Sequence, residues 1–282
     1  VNDCDNELKE IDARVAKQWE EAAEGWRRWE PYFSSGSFPV TLTMMRQMKI
    51  NGESHVLDVG SGLGDPGLAL ASLAKSVTMV EPCEPMLEAA GDRARCYGLD
   101  HIRFLVGDVW DDSLAGLSFD AASARFSIMF AADPAALVSR IRELLKPGGR
   151  LSAAVWTSFE ENPMFAMPAE ILRRHLEVPQ PGPDEPGPMR LSKDGALAAL
   201  MTTAGFRDVQ VEPVRVYLFA PNADSYWSML VDMSSQFRAR IEGLQTGVRN
   251  QVEKELKSAV MQFERGGVIR IPGQAWVGVG VG

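Results

Sequence analysis

The chain has 282 residues, 45% hydrophobic and 24% charged, with 29 basic against 38 acidic side chains and a net charge of −9. That length supports one large domain with insertions or a domain plus a cap. The acidic balance disfavours a nucleic-acid partner, because phosphate contacts need clustered Lys and Arg. Cys4, Cys83 and Cys96 show no paired spacing, which fits a reducing cytosol. No Cys-x-x-Cys or His-Glu-x-x-His pattern points to a metal, and no apolar run approaches membrane-spanning length or forms a signal peptide. The expectation is a cytoplasmic protein with no metal and no membrane association. What precedes Val1 and the oligomeric state are left open.

In chain order, Leu8, Ile11, Val15, Trp19, Ala22, Trp26 and Trp29 recur at helical spacing, giving an amphipathic helix that Pro31 is expected to stop. A second short helix, around Val40 to Met48, leads into the first strand. Val56-Leu57-Asp58-Val59 reads as a buried parallel strand running into the turn Gly60-Ser61-Gly62-Leu63-Gly64. Asp65 is placed to cap the helix that follows, with Pro66 at its first position. Glycines let a ligand lie against the backbone, and free N–H groups at a helix start favour negative charge. A dinucleotide fingerprint, Gly-x-Gly-x-x-Gly, would want its third glycine where this chain has Asp65.

A second strand, Ser76 to Val80, ends in Glu81-Pro82. A carboxylate there can take both hydroxyls of a ribose, as does the acid about 20 residues after a Rossmann turn. Met86 follows in the next helix, a soft side chain placed either to pack on a ligand or to fill the core. Ile102 to Val106 is the third strand, followed by Gly107-Asp108-Val109-Trp110; Phe119 to Phe126 is the fourth; Leu145-Lys146-Pro147-Gly148-Gly149 turns into the fifth. Strand and helix alternate through Trp156, the pattern of a parallel sheet with helices on both faces.

Past Trp156 the alternation breaks. Met164 to Leu176 reads as a helix, Pro179 to Pro188 as a loop or lid, and Ser192 as the cap of a helix running to Ala204 and closed by Gly205. Val209 to Phe219 is the sixth strand, with Pro213 marking a bulge or a sheet edge. Asp224 to about Arg265 is helical apart from Gly243 to Gly247, and Val268 to Val281 is the last strand.

Together the alternate glycines, Asp58, Glu81, the Gly107-Asp108 pair and the Lys146-Pro147-Gly148-Gly149 turn resemble the motifs of class I S-adenosylmethionine-dependent methyltransferases, over roughly Val56 to Trp156. Phe126, Phe130 and Asp133-Pro134 are similar in style to the ubiquinone/menaquinone-biosynthesis type. The resemblance implies an α/β, Rossmann-like sheet of seven strands, mostly parallel, its last strand antiparallel between the fifth and sixth. It implies S-adenosylmethionine as cofactor, held by Asp58, Gly60, Ser61, Gly62, Gly64, Glu81, Pro82, Met86, Gly107, Asp108, Val109 and Arg125. Asp58 would order the turn near the methionine end. Asp108 would accept from the adenine amine while the adjacent backbone N–H reads a ring nitrogen, and Arg125 follows the backbone that meets the methionine moiety. The implied organisation is a helical lid (1–50), a cofactor-binding core (51–156), a cap insertion with its Pro/Gly-rich loop (157–190), and the rest of the sheet with a second helical insertion at 222–266 (191–282).

Trp26, Trp29 and Tyr32 are candidates to close over a sulfonium, or simply pack on the sheet. Met164, Met167, Tyr226, Trp227, Met229, Met233 and Phe237 could line an adaptable apolar pocket, or serve as core. His55 and His101 precede strands at the far edge, where surface positions are expected. His175, Tyr226 and Tyr32 are the candidate bases for an acceptor that must lose a proton. The leading reading is an enzyme moving a methyl group to an O, N, S or C atom of a small-molecule metabolite. The alternatives are a nicotinamide-dependent oxidoreductase, disfavoured by the glycine spacing and the missing Tyr-x-x-x-Lys pair, and a non-catalytic S-adenosylmethionine-binding module. Ser123-Ala124-Arg125-Phe126-Ser127 stands where nucleic-acid amine methylation would want Asn/Asp-Pro-Pro-aromatic.

Overall fold

Strands β1 (His55–Val59), β2 (Ser76–Glu81), β3 (Ile102–Val106), β4 (Phe119–Arg125) and β5 (Leu145–Trp156) pair in parallel in the order β3-β2-β1-β4-β5. These observations come from a computed structural model, which describes residues 3–177, 182 and 184–282. β8 (Val268–Val281) then inserts antiparallel between β5 and β6 (Arg207–Ala220), so the expected seven-stranded order holds. An eighth strand of two residues, β7 (Glu264–Arg265), pairs with β8 off that path. β1 is an unbroken apolar run around one acid because it lies between β2 and β4, buried over Val56 to Val59. Pro213 falls in β6, the edge strand, where a missing N–H costs no ladder bond; the register shift lies instead between Arg207 and Gln210.

Around the sheet stand α1 (Asp3–Met48), α2 (Gly67–Ala71), α3 (Glu84–Cys96), α4 (Pro134–Leu144), α5 (Pro163–His175), α6 (Ala196–Thr203), α7 (Ala223–Met233), α8 (Ser235–Glu242) and α9 (Thr246–Val260). The N-terminus departs from the sequence reading. α1 is one helix of 46 residues, roughly 70 Å long, with Pro31 and Pro39 inside it. Each proline frees the carbonyl four residues earlier, on Arg27 and Ser35, and both of those residues are exposed, so water can take their place. The inner face holds the helix together across the prolines. A Cβ on Gly25 would lie 2.1 Å from the Asp232 carbonyl oxygen, and one on Gly36 would lie 1.8 Å from that of Tyr217. Tertiary packing thus overrides the local stop signal.

Other boundaries shift for simpler reasons. α6 starts at Ala196 behind Gly195 (φ +77°), three residues after the expected Ser192 cap. The Asp224–Arg265 segment breaks at Ser234 as well as near Gly243, because the Ser234 hydroxyl accepts from the Phe237 N–H and starts α8. His55 and His101 are half-buried and hydrogen-bonded, to the Ser76 hydroxyl and the Ala71 carbonyl. Of the expected Pro179–Pro188 loop, residues 179–181 and 183 lie outside the described residues. Its described end is tied to the turn after β4: Gly187 N–H donates to the Met129 carbonyl and Arg190 to that of Ala132. Among the described residues, no helix is long and apolar enough to cross a membrane.

Candidate cofactor site

Three strand ends meet at one carboxylate. The turn after β1 is anchored on β2, with the N–H groups of Gly60 and Ser61 donating to the Val80 carbonyl at 2.8 and 3.2 Å. Glu81 ends β2 with its Oε2 accepting from Gly62 N–H at 2.8 Å and its Oε1 from Cys83 N–H at 3.0 Å. β3 is in register beside it, Glu81 opposite Val106, and Gly107 N–H donates to the Glu81 carbonyl at 3.1 Å. Burial pushes the Glu81 carboxyl above its ordinary pKa while the two backbone donors pull it back. Each carboxylate oxygen keeps a second lone pair for an outside hydroxyl.

The alternate glycines divide their work. All three adopt positive φ, at +66°, +50° and +96°. A Cβ on Gly60 would strike the Ser127 side chain at 2.4 Å, and one on Gly64 would strike Leu68 at 2.8 Å, so both serve internal packing. Only Gly62 faces open space, with Met86 Sδ its nearest neighbour at 4.0 Å. The expectation that the glycines as a set admit a ligand therefore narrows to Gly62.

The helix start also differs from expectation. Pro66 lies before α2 rather than at its first position, and no side chain of its own caps it. Gly67 N–H is taken by Asp58 Oδ2 at 3.1 Å, and Leu68 N–H by the Gly64 carbonyl, so those donors are not free for an anion. Asp58 is wholly buried, its Oδ1 accepting from the Ser123 hydroxyl at 2.6 Å. Burial raises its pKa to about 7, Asp65 adding to the rise and Ser123, Gly67 and Arg125 opposing it. Asp65 is turned away from the helix it was expected to cap, accepting from the Thr41 hydroxyl at 2.8 Å and pairing with Arg125 at 3.1 Å.

Asp108 is exposed beyond β3, one oxygen accepting from Trp110 N–H at 2.8 Å, with Val109 buried beside it. Met86 is buried next to Gly62 in a cluster with Leu63, Cys83, Ala89 and Ala23 of α1, against which Trp19 and Trp26 pack. This donor and acceptor set fits S-adenosylmethionine: a carboxylate for the ribose diol, an exposed carboxylate for the adenine amine, and an open glycine between them.

α1 lies across this edge of the sheet. Asp12 accepts from Ala132 N–H at 2.8 Å, Trp19 meets Phe130 edge-on at 5.1 Å, and Glu30 pairs with Arg93 at 2.9 Å. Trp26 and Trp29 donate to the Met233 carbonyl and to Asp232 on α7, which turns both indoles toward that helix, and Tyr32 lies 5.8 Å from Trp29. Arg125 also ties α1 down, through Asp65 and the Ser37 hydroxyl. Sequence reasoning missed Ser34, Ser37 and Thr41, all bonded to this pair of charges. Their spacing of three and four residues, one polar stripe on a helix, was the available signal.

The candidate bases are not brought together. His175, on α5, has its Nε2 3.0 Å from Glu255 Oε1 on α9. Tyr226 is fully buried in α7 with its hydroxyl unpartnered, and burial drives its pKa well up. Tyr32 is 36% exposed on α1. The cap residues Met164, Tyr226, Trp227, Met229 and Phe237 are buried in the main core, and Met164 packs on Gly273 of β8. A recess of about 460 Å³ lies at the opposite end of the sheet, between Arg46, Arg150, Gln210 and Glu212.

Residues 56–149 match the family described as "Methyltransferase domain". Fold, motif order and that match identify the core as a class I S-adenosylmethionine-dependent methyltransferase domain, and S-adenosylmethionine as its cofactor. A protein-L-isoaspartate O-methyltransferase from Brucella anthropi is 33% identical over 112 residues, 40% of this chain and 49% of that protein. A demethylmenaquinone methyltransferase from Clavibacter sepedonicus is 27% identical over 147 residues, 51% of this chain and 59% of that protein. The chain thus spans about half the length of the relatives it matches. The solved YcgJ protein of Bacillus subtilis shares the fold at 18% identity and a TM-score of 0.55, covering 86% of this chain and 97% of the other.

Proposed function

We propose that this chain transfers the methyl group of S-adenosylmethionine to an O, N, S or C atom of a small-molecule metabolite by in-line displacement. The observation that carries the reading is the meeting of Gly62, Glu81 and Gly107-Asp108 at one corner of the sheet. When bound, the cofactor supplies a methyl group already activated on a sulfonium. Glu81 holds the ribose diol, Asp108 accepts from the adenine amine, and Gly62 lets the backbone approach. α1 covers the reacting end and excludes water. Orientation of two bound reactants is worth roughly 7–11 kcal/mol of barrier lowering. Proximity dominates in this reading, with His175 at most an assistant and Tyr226 and Tyr32 secondary candidates. A small acceptor suits a site roofed by a long helix. The two named relatives act on different acceptors, so neither acceptor is carried over.

Calorimetric titration tests the reading. S-Adenosylmethionine and S-adenosylhomocysteine bind and NADH does not; NADH binding without S-adenosylmethionine would overturn it. Glu81→Ala removes a charge-assisted hydrogen-bond pair and weakens cofactor binding by about 1.5–3 kcal/mol. Unchanged affinity in a folded Glu81→Ala protein would sink the ribose assignment.

A further inference from the structure

Beside the cofactor corner, at the carboxyl ends of β4 and β5, lies a second concentration of features that the cradle does not use. Phe126 follows β4 with φ +54°, a region that bulky residues avoid and that persists only where surrounding structure imposes it. That backbone lays its ring flat on Trp156 at the end of β5, centroids 4.1 Å apart and planes 7° from parallel. Phe33 of α1 meets both rings at 6.2 and 6.3 Å, and Phe165 of α5 meets Trp156 at 5.2 Å. Phe33, Phe126 and Phe165 are only half-buried, so the cluster is not closed on all sides.

Arg125 completes it. Its guanidinium lies 5.2 Å from the Phe126 ring centre and 5.7 Å from that of Phe33. The side chain is only 6% exposed, its two terminal nitrogens are taken by Asp65 and Ser37, and its Nε–H has no partner. A buried N–H without an acceptor is rare and costly, and an oxygen arriving there recovers the loss.

We propose that this cluster is the acceptor subsite, and that it selects a planar aromatic compound carrying an oxygen substituent that accepts from Arg125 Nε–H. The inference rests on the methyltransferase reading and adds the substrate class to it. The flat ring joins the Phe126–Trp156 stack. Arg125 acts as a positioning and specificity residue, rewarding compounds that place an oxygen at the edge of that stack. A site built to hydrogen-bond an oxygen discriminates against the analogue lacking it, because its own buried group is then left unpaired.

The test compares 1-naphthol with 1-methylnaphthalene, the same ring system with and without the oxygen, by calorimetry on the full chain saturated with S-adenosylhomocysteine. The expected result is a preference for naphthol of about tenfold, the size of one charge-assisted hydrogen bond. Arg125→Met abolishes the preference, while Phe126→Leu weakens both probes alike and keeps it. A merely structural role for Arg125 would lower both affinities together and leave their ratio unchanged. If Arg125→Met fails to fold because Asp65 is left unpaired, the double variant Arg125→Met/Asp65→Asn removes both charges and gives the same readout. Binding of S-adenosylhomocysteine with neither probe bound, or with both bound equally, overturns the inference and leaves the methyltransferase reading standing. Absence of S-adenosylhomocysteine binding overturns that reading and the inference with it.

Discussion

The cofactor corner and the roof over it are held by different kinds of bond. At the corner, main-chain N–H groups meet one carboxylate, and the partners are near in sequence: Gly62 and Glu81 are 19 residues apart, Glu81 and Cys83 two. In the roof, side chains meet side chains or main-chain groups far away in the chain: Ser37 with Arg125 across 88 residues, and Asp12 with the Ala132 N–H across 120. The corner can form from one strand–turn–helix unit and its neighbour. The roof exists only once the whole chain has folded. Changes at the corner should therefore act on ligand binding, and changes in the roof on stability and on access to the site.

Asp58 gives the largest test, because it belongs to both regions through Gly67 and the Arg125–Asp65 pair. Its folded pKa of about 7 lies above the unfolded value, so the folded state holds the proton longer. Its stabilising contribution is present at low pH and is lost as pH rises from about 4 to about 7, a span of about 4 kcal/mol. Asp58→Asn carries no such charge. Urea unfolding should show the variant gaining on the wild type as pH rises from 5 to 8; parallel curves would mean that Asp58 stays ionised throughout.

Gly36→Ala and Gly62→Ala sharpen the comparison directly. The first drives a methyl group into the Tyr217 carbonyl, which cannot rotate away, and should cost about 2–3 kcal/mol or shift α1 outward. The second meets nothing closer than 4.0 Å, and its cost is the positive φ alone, about 1–2 kcal/mol. Cofactor affinity should respond in the opposite order, falling more for Gly62→Ala. Thermal melts with and without S-adenosylhomocysteine separate the two, and equal ligand-induced shifts would erase the distinction between corner and roof.

The smallest effect is expected at His175, whose ring is engaged by Glu255 between α5 and α9. His175→Ala should cost about 1 kcal/mol of stability. Once an acceptor is known, it should lower kcat by less than the roughly 10²–10⁴-fold of a general base. A larger loss in a folded variant, with the acidic limb of the pH profile gone, would make His175 the base.

How far the chain could be read tracks the same division. The strands came through nearly residue for residue, because buried parallel strands announce themselves as short apolar runs between glycine turns. So did the antiparallel β8, through the resemblance, whereas the bond from the Gly62 N–H to Glu81 came only from the structure. The glycine turn was legible as a motif but not in its division of labour. Whether a glycine faces a ligand, as Gly62 does, or a neighbouring side chain, as Gly60 and Gly64 do, depends on what packs behind it.

Sequence by itself determined the order of elements and the acids at the strand ends, since each rests on periodicity or on spacing within a few dozen residues, and the class of cofactor followed from the resemblance those motifs carry. Tertiary structure alone decided that α1 runs through Pro31 and Pro39, that Asp65 serves Arg125 and Thr41 instead of capping α2, and that Asp58 fills that place. Each of those outcomes sets a local preference worth a few kcal/mol at most against burial and hydrogen bonds supplied by residues far away in the chain. No local pattern records which distant carbonyl or guanidinium will be waiting.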